Sequence, residues 1–68
     1  METLNCLTLR VYTEDTKLPV LLNEQFILEV FPDPALGFIV GGAAGEVEAA
    51  AEWMRAEGYD VEVLTYPY

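Results

Sequence analysis

The clearest pattern of hydrophobic and polar positions predicts one amphipathic helix over residues 46–57. Its buried stripe has the i, i+3, i+4, i+7 spacing and consists of Val47, Ala50, Ala51 and Met54. Gly58 stands where a residue with left-handed backbone angles would end the helix. Tyr59 could then contact Met54, as in a Schellman stop. We therefore expect a helix with a defined C-terminal end.

Alternation of apolar and polar residues predicts four strands, which cover residues 4–12, 25–31, 36–40 and 59–66. In the first of them, Leu7, Leu9 and Val11 point to one side, and the residues between them point to the other. This period of two is typical of a strand with one buried face, so each strand is expected to have one side against the core.

Proline and glycine separate these elements. The prolines in residues 32–34 predict a turn between the second and third strands, in a hairpin loop of about five residues. Residues 18–22 contain Pro19 and could form an edge segment or a helical turn; we interpret them as irregular. Gly41 and Gly42 are expected to form a tight turn that leads into the helix.

Together these elements predict a single α+β domain over residues 1–68. Its architecture is a two-layer sandwich of one helix on a four-stranded, mostly antiparallel sheet, in the chain order β-β-β-α-β. The two strands joined through the helix should run parallel, by a right-handed crossover, if they share the sheet. The sheet face away from the helix should present Cys6, Tyr12, Ile27, Phe31, Leu64 and Tyr66. So apolar a face suggests a partner or a homodimer.

The charge narrows the choice of partners. Twelve carboxylates against three bases give a net charge of −9 on 68 residues, although 53% of the residues are hydrophobic. Direct binding to nucleic acid or to an anionic membrane is not expected, because such binding depends on Lys and Arg. The acidity could serve solubility alone. It could also form a negative surface that competes for a basic groove, with carboxylates in the place of phosphates.

The side chains of most catalytic sites are missing, so we expect no enzyme, cofactor or metal site. The chain has no histidine and no serine, which removes Ser-His and Cys-His nucleophiles. The single Cys6 is interpreted as a small residue packed in the sheet, and it fits a reducing, cytoplasmic location. The glycines in residues 41–45 match neither phosphate-binding motif, and acidic residues follow them. No N-terminal signal segment is expected.

These observations favour a non-enzymatic interaction protein. In size and acidity the chain resembles the small phage-encoded inhibitors of host defence, of the anti-CRISPR and anti-restriction type. The resemblance lies in composition and covers no motif, so no functional residue is carried over. It implies a protein in the host cytoplasm that blocks a basic-surfaced partner, such as a nucleic-acid-handling complex, by mimicry or by steric obstruction.

The candidate partner-binding residues are Glu46, Glu48, Glu52, Trp53, Glu57, Asp60, Glu62 and Tyr66. Trp53 could instead be partly buried at the boundary of helix and sheet. The alternative function is a small regulatory or subunit domain. Such a domain would dimerise or bind a protein through its apolar sheet face, and its acidity would serve only solubility.

Overall fold

The computed structural model describes residues 6–34 and 36–65. It contains, in chain order, β1 (Cys6–Tyr12), α1 (Leu18–Gln25), β2 (Glu29–Pro32), β3 (Phe38–Ala43), α2 (Ala44–Ala56) and β4 (Asp60–Thr65). The four strands form one sheet in the order β2-β3-β1-β4, and every neighbouring pair is antiparallel. The expected α+β fold with a four-stranded antiparallel sheet is confirmed.

Each helix joins two parallel strands that are not neighbours. The strands β1 and β2 run parallel with β3 between them, and β3 and β4 run parallel with β1 between them. This double split βαβ is the arrangement of the ferredoxin-like fold. The expected parallel direction of the strands around α2 is thus confirmed. Because this topology hosts many unrelated functions, it assigns none to this chain.

The core lies between the helices and one face of the sheet. The strand β1 contributes Leu7, Leu9 and Val11, as expected from their alternation. The stripe of α2 is also buried as expected: Val47, Ala50, Ala51 and Met54 are at most 4% exposed. A single cluster joins these residues to the buried side chains of α1 and β3. Burial of aliphatic side chains is therefore what holds both helices on this face.

The C-terminal end of α2 has the expected geometry. Gly58 has φ +97°, and its N–H donates to the carbonyl of Arg55 at 3.1 Å. The N–H of Tyr59 donates to the carbonyl of Met54 at 2.9 Å. These are the two hydrogen bonds of a Schellman motif, and they satisfy carbonyls that would otherwise lack a partner.

Residues 18–22 are helical, so the irregular interpretation is wrong. They begin α1, in which Pro19 lies in the first turn, where its missing N–H removes no helical hydrogen bond. Leu18 and Leu22, one turn apart, are both fully buried. An isolated helix of eight residues is unstable in water. Burying two leucines, at about 1.5–3 kcal/mol each, stabilises this one within the folded domain.

The middle strands lie later in the chain than expected. Of the predicted strand over residues 25–31, Gln25 is the last residue of α1 and residues 26–28 form an irregular connection, so the strand is only Glu29–Pro32. The third strand continues through Gly41 and Gly42, which pair with β1, so they do not form a turn. The backbone partners that β1 supplies explain this extension. The five-residue hairpin loop between β2 and β3 agrees with expectation.

Candidate interaction surface

The sheet has one face that neither helix covers, which we call the open face. Its positions alternate with the core positions of each strand. One row crosses all four strands: in β2-β3-β1-β4 order it consists of Phe31, Ile39, Arg10 and Glu62. The next row runs from Glu29 through Gly41 to Thr8. In the row that crosses all four strands, the half on β2 and β3 is therefore apolar and the half on β1 and β4 is charged.

Large hydrophobic side chains are exposed on this face. Phe31 is 54% exposed, Leu64 is 41% and Tyr12 is 36%. Leu64 is the extra residue of a β-bulge, since Leu9 pairs with Val63 and Thr8 pairs with Thr65. The structure thus places on the open face four of the residues expected there, which are Cys6, Tyr12, Phe31 and Leu64.

The other two expected residues lie elsewhere. Ile27 is 84% exposed but precedes β2, so it belongs to the segment between α1 and the sheet. Tyr66 lies outside the described residues. Ile27 also lines an open groove of about 580 Å³ at the end of the sheet where β3 continues into α2. This groove is separate from the row of residues that crosses the open face.

A network of polar side chains occupies the centre of the open face. The guanidinium Nε of Arg10 lies 2.7 Å from Oδ2 of Asp33, whose side chain is only 6% exposed. A second nitrogen of Arg10 donates to the Tyr12 hydroxyl at 3.5 Å, and that hydroxyl donates to a carboxylate oxygen of Glu62. The bond to Tyr12, and then the charge of Asp33, raise the pKa of Arg10 above its ordinary value. The cation is thus permanent and compensated.

Sequence reasoning missed this network. Alternation does place Arg10, Tyr12 and Glu62 on outward positions, and that was the available signal. Their meeting depends on β1 pairing with β4, which places Arg10 opposite Glu62. Asp33 reaches Arg10 from the loop between β2 and β3, where its N–H donates to the carbonyl of Gly37 at 2.9 Å.

The acidic residues of α2 lie on the opposite side of the molecule from the open face. Glu48 and Glu52 are exposed, and so is Glu57 at the C-terminal end of the helix. Glu46 is half-buried, and its carboxylate accepts the N–H of Ile27 at 2.9 Å. This bond ties the first turn of α2 to the segment before β2, so Glu46 has a structural role whether or not it contacts a partner.

Trp53 is half-buried and packs against the core, which agrees with the interpretation that it lies at the boundary of helix and sheet. Its ring stacks on Tyr59 with centroids 6.5 Å apart. The Tyr59 hydroxyl donates to Oδ2 of Asp15 at 2.8 Å. The Lys17 N–H, and then this hydroxyl, lower the pKa of Asp15, while the same bond to Asp15 raises the pKa of Tyr59. These contacts connect α2 to the loop before α1.

The candidate partner-binding residues therefore divide between two surfaces. The α2 side carries Glu46, Glu48, Glu52, Trp53 and Glu57, whereas Asp60 and Glu62 lie on outward positions of β4. Within residues 6–34 and 36–65, Arg10–Asp33 is the only ion pair. Eight of the eleven carboxylates in that part of the chain are exposed. The negative charge thus stays at the surface.

Membrane-spanning helices and metal-binding clusters are absent from the described residues. Neither α1 nor α2 is long and apolar enough to cross a bilayer. Among the described residues, no group of three or more cysteine and carboxylate side chains is arranged to hold a metal ion. Comparisons with protein-family models, curated proteins and solved structures found no match to this chain. The surface itself is therefore the basis for a functional proposal.

Proposed function

We propose that this chain is a non-enzymatic interaction protein that blocks a basic nucleic-acid-binding protein by occupying its cationic surface. The supporting observation is that the negative charge of the chain is largely unbalanced. A net charge of −9 is spread over 68 residues, and the described residues hold only one ion pair to offset it. Exposed carboxylates can then pair with Lys and Arg side chains that otherwise contact phosphate.

Because the carboxylates are exposed to water, each ion pair that they form with a partner is weak. Two opposite charges 4 Å apart in water attract by only about 1 kcal/mol, so affinity depends on several pairs that form together. On α2, Glu48 and Glu52 lie one turn apart, with a rise of about 6 Å between them. Their charges add to the negative field of the molecule, and their mutual repulsion weakens the helix only slightly. The long-range field would also accelerate association, by about 10- to 1000-fold.

A second candidate function rests on a different observation. The open face exposes Phe31, Leu64 and Tyr12, which binding through carboxylates alone would not require. A regulatory or subunit domain that binds a protein, or a second copy, through this face would bury them. In that case the partner's surface would be apolar and need not be basic.

The first experiment is affinity capture from the source organism, followed by binding measurements with the captured protein. For the proposed function, binding should weaken as salt rises and duplex DNA should compete with it. Reversing Glu48, Glu52 and Glu62 to Lys changes the net charge from −9 to −3, two units per residue, and should abolish binding.

The matched variant is Phe31→Ala, which leaves the net charge at −9. If Phe31→Ala abolishes binding and the triple reversal does not, the second candidate function is favoured. A captured partner without a basic surface, bound equally well at low and high salt, would overturn the proposed function.

A further inference from the structure

We infer that the partner docks on the open face, and that the segment it places there is a basic amphipathic helix. This inference rests on the proposed function and adds to it the surface and the form of the ligand. Three features of the open face support it: the row of residues that crosses the sheet, the remaining charge of that face, and its dimensions.

The β2–β3 half of the open face suits the apolar side of such a helix. Phe31 is 54% exposed and pairs across the ladder with half-buried Ile39. Beside them Gly41 has no side chain, and the nearest atom to an added Cβ would be the Thr8 hydroxyl, 3.8 Å away. Gly41 thus leaves a shallow depression beside Phe31 and Ile39, in which leucine side chains of a ligand can pack.

The β4 side suits the basic side of the same helix. Asp60 and Glu62 are exposed on outward positions there, and Glu29 is exposed at the opposite edge. The central cation of the face, Arg10, is compensated by Asp33 at 2.7 Å. The open face therefore has a surplus of negative charge beside its apolar half, which is the complement of a cationic amphipathic ligand.

The open face is large enough to bind one helix. Four strands spaced about 4.8 Å apart span about 14 Å between the axes of β2 and β4, and a helix with its side chains is about 10–12 Å wide. The seven residues of β1 extend about 23 Å, the length of a helix of about 15 residues. A single helix of about four turns would cover the face.

The charge argues against the other occupants of this face. A second copy would bring another −9 and would place the acidic residues of two open faces against each other. A nucleic acid would bring phosphates to Asp60 and Glu62. Each of these occupants could use the apolar half but would be repelled by the acidic half, whereas a basic helix is attracted by it.

The test uses the full chain and, as probe, a synthetic 18-residue helical peptide with leucines on one side and lysines on the other. A scrambled peptide of the same composition is the control. Two variants have the same net charge of −5: Asp60→Lys with Glu62→Lys on the open face, and Glu48→Lys with Glu52→Lys on α2. Circular dichroism and the melting temperature confirm that both variants fold. Affinity is measured by calorimetry, and amide chemical shifts locate the bound peptide.

We expect the amphipathic peptide to shift amide signals of β1, β3 and β4, and to bind at least about tenfold more tightly than the scrambled one. The β4 pair should weaken binding by about tenfold and the α2 pair by about threefold, the loss due to long-range attraction alone. Phe31→Ala, which keeps the charge, should weaken binding about fivefold. The emission of Trp53, on the α2 side, should not change.

Several results would overturn the inference without affecting the proposed function. One is that the two charge-matched pairs of substitutions weaken peptide binding equally, and another is that the amide shifts are confined to α2. The others are that the amphipathic peptide binds no more tightly than the scrambled one, or that it does not bind at all. Sedimentation that shows the free chain to be a dimer disrupted by Phe31→Ala would also overturn it. Failure of the proposed function would be recognised separately, because the captured partner would then lack a basic surface and its binding would not respond to salt.

Discussion

The loop that positions Asp33 beside Arg10 depends on one glycine, and replacing it should strongly destabilise the domain. Gly37 has φ +92° and accepts the hydrogen bond from the Asp33 N–H. A Cβ at this position would lie 1.9 Å from the carbonyl oxygen of Val11 and 3.1 Å from the Thr13 nitrogen. Both are backbone atoms of β1 or of the residue that follows it, so they cannot move aside as a side chain could.

The expected loss of stability in Gly37→Ala has two contributions. The left-handed conformation alone costs a residue with a Cβ about 1–2 kcal/mol. The overlap with backbone adds enough that Gly37→Ala should cost more than about 3 kcal/mol, since large destabilisations come from such strain. A domain of 68 residues is stable by about 3–10 kcal/mol in total. The substitution would therefore remove at least about a third of that stability, and it would also displace Asp33 from Arg10 at the centre of the open face.

Two other glycines are matched controls. Gly58 has φ +97° but no atom within 4 Å of an added Cβ, so Gly58→Ala should cost only the conformational share of about 1–2 kcal/mol. Gly45 lies in α2 without positive φ and also has open space around it. Gly45→Ala should therefore stabilise the domain by about 0.5–1 kcal/mol.

Urea unfolding followed by the emission of the single tryptophan measures all three variants. The midpoint should fall most for Gly37→Ala, fall moderately for Gly58→Ala and rise for Gly45→Ala. If Gly37→Ala and Gly58→Ala unfold at the same urea concentration, the overlap with β1 contributes nothing and this reasoning is refuted.

The remaining predictions concern the core and the contacts of Asp15. Met54→Ala should cost about 2–5 kcal/mol, because Met54 is fully buried, whereas Leu64→Ala on the open face should stay within about 0.5 kcal/mol; urea unfolding compares them. Tyr59→Phe should move the pKa of Asp15 up towards its ordinary 3.8, measured by NMR titration, and an unchanged pKa would contradict the hydrogen bond. Because the pKa of Asp15 is lowered by folding, its contribution to stability is present above pH 3.8 and is lost as pH falls through the folded-state pKa. Because the pKa of Tyr59 is raised, its contribution is complete below pH 10.0 and is lost as pH rises through the raised value; urea midpoints across both ranges test the two signs.

Much of the fold was accessible from local pattern. The helix α2 was predicted because its apolar residues repeat at the helical period and Gly58 follows them. The strand β1 was predicted because alternate apolar residues fit a sheet with one buried face. In both cases one element contains the whole signal, so no knowledge of the other elements was needed.

Local pattern and composition were therefore enough to predict the α+β class, the helix α2, the inward side of β1 and the surplus of negative charge. The tertiary fold makes residues 18–22 helical, because burial of Leu18 and Leu22 stabilises a helix that is too short to form alone. It also decided that Gly41 lies in a strand, since β1 supplies the backbone partners. The open-face network of Arg10 depends likewise on strand register and on a loop 23 residues away in sequence. Contacts between residues distant in sequence leave no periodic signal in the chain, so they emerge only once the strands are paired.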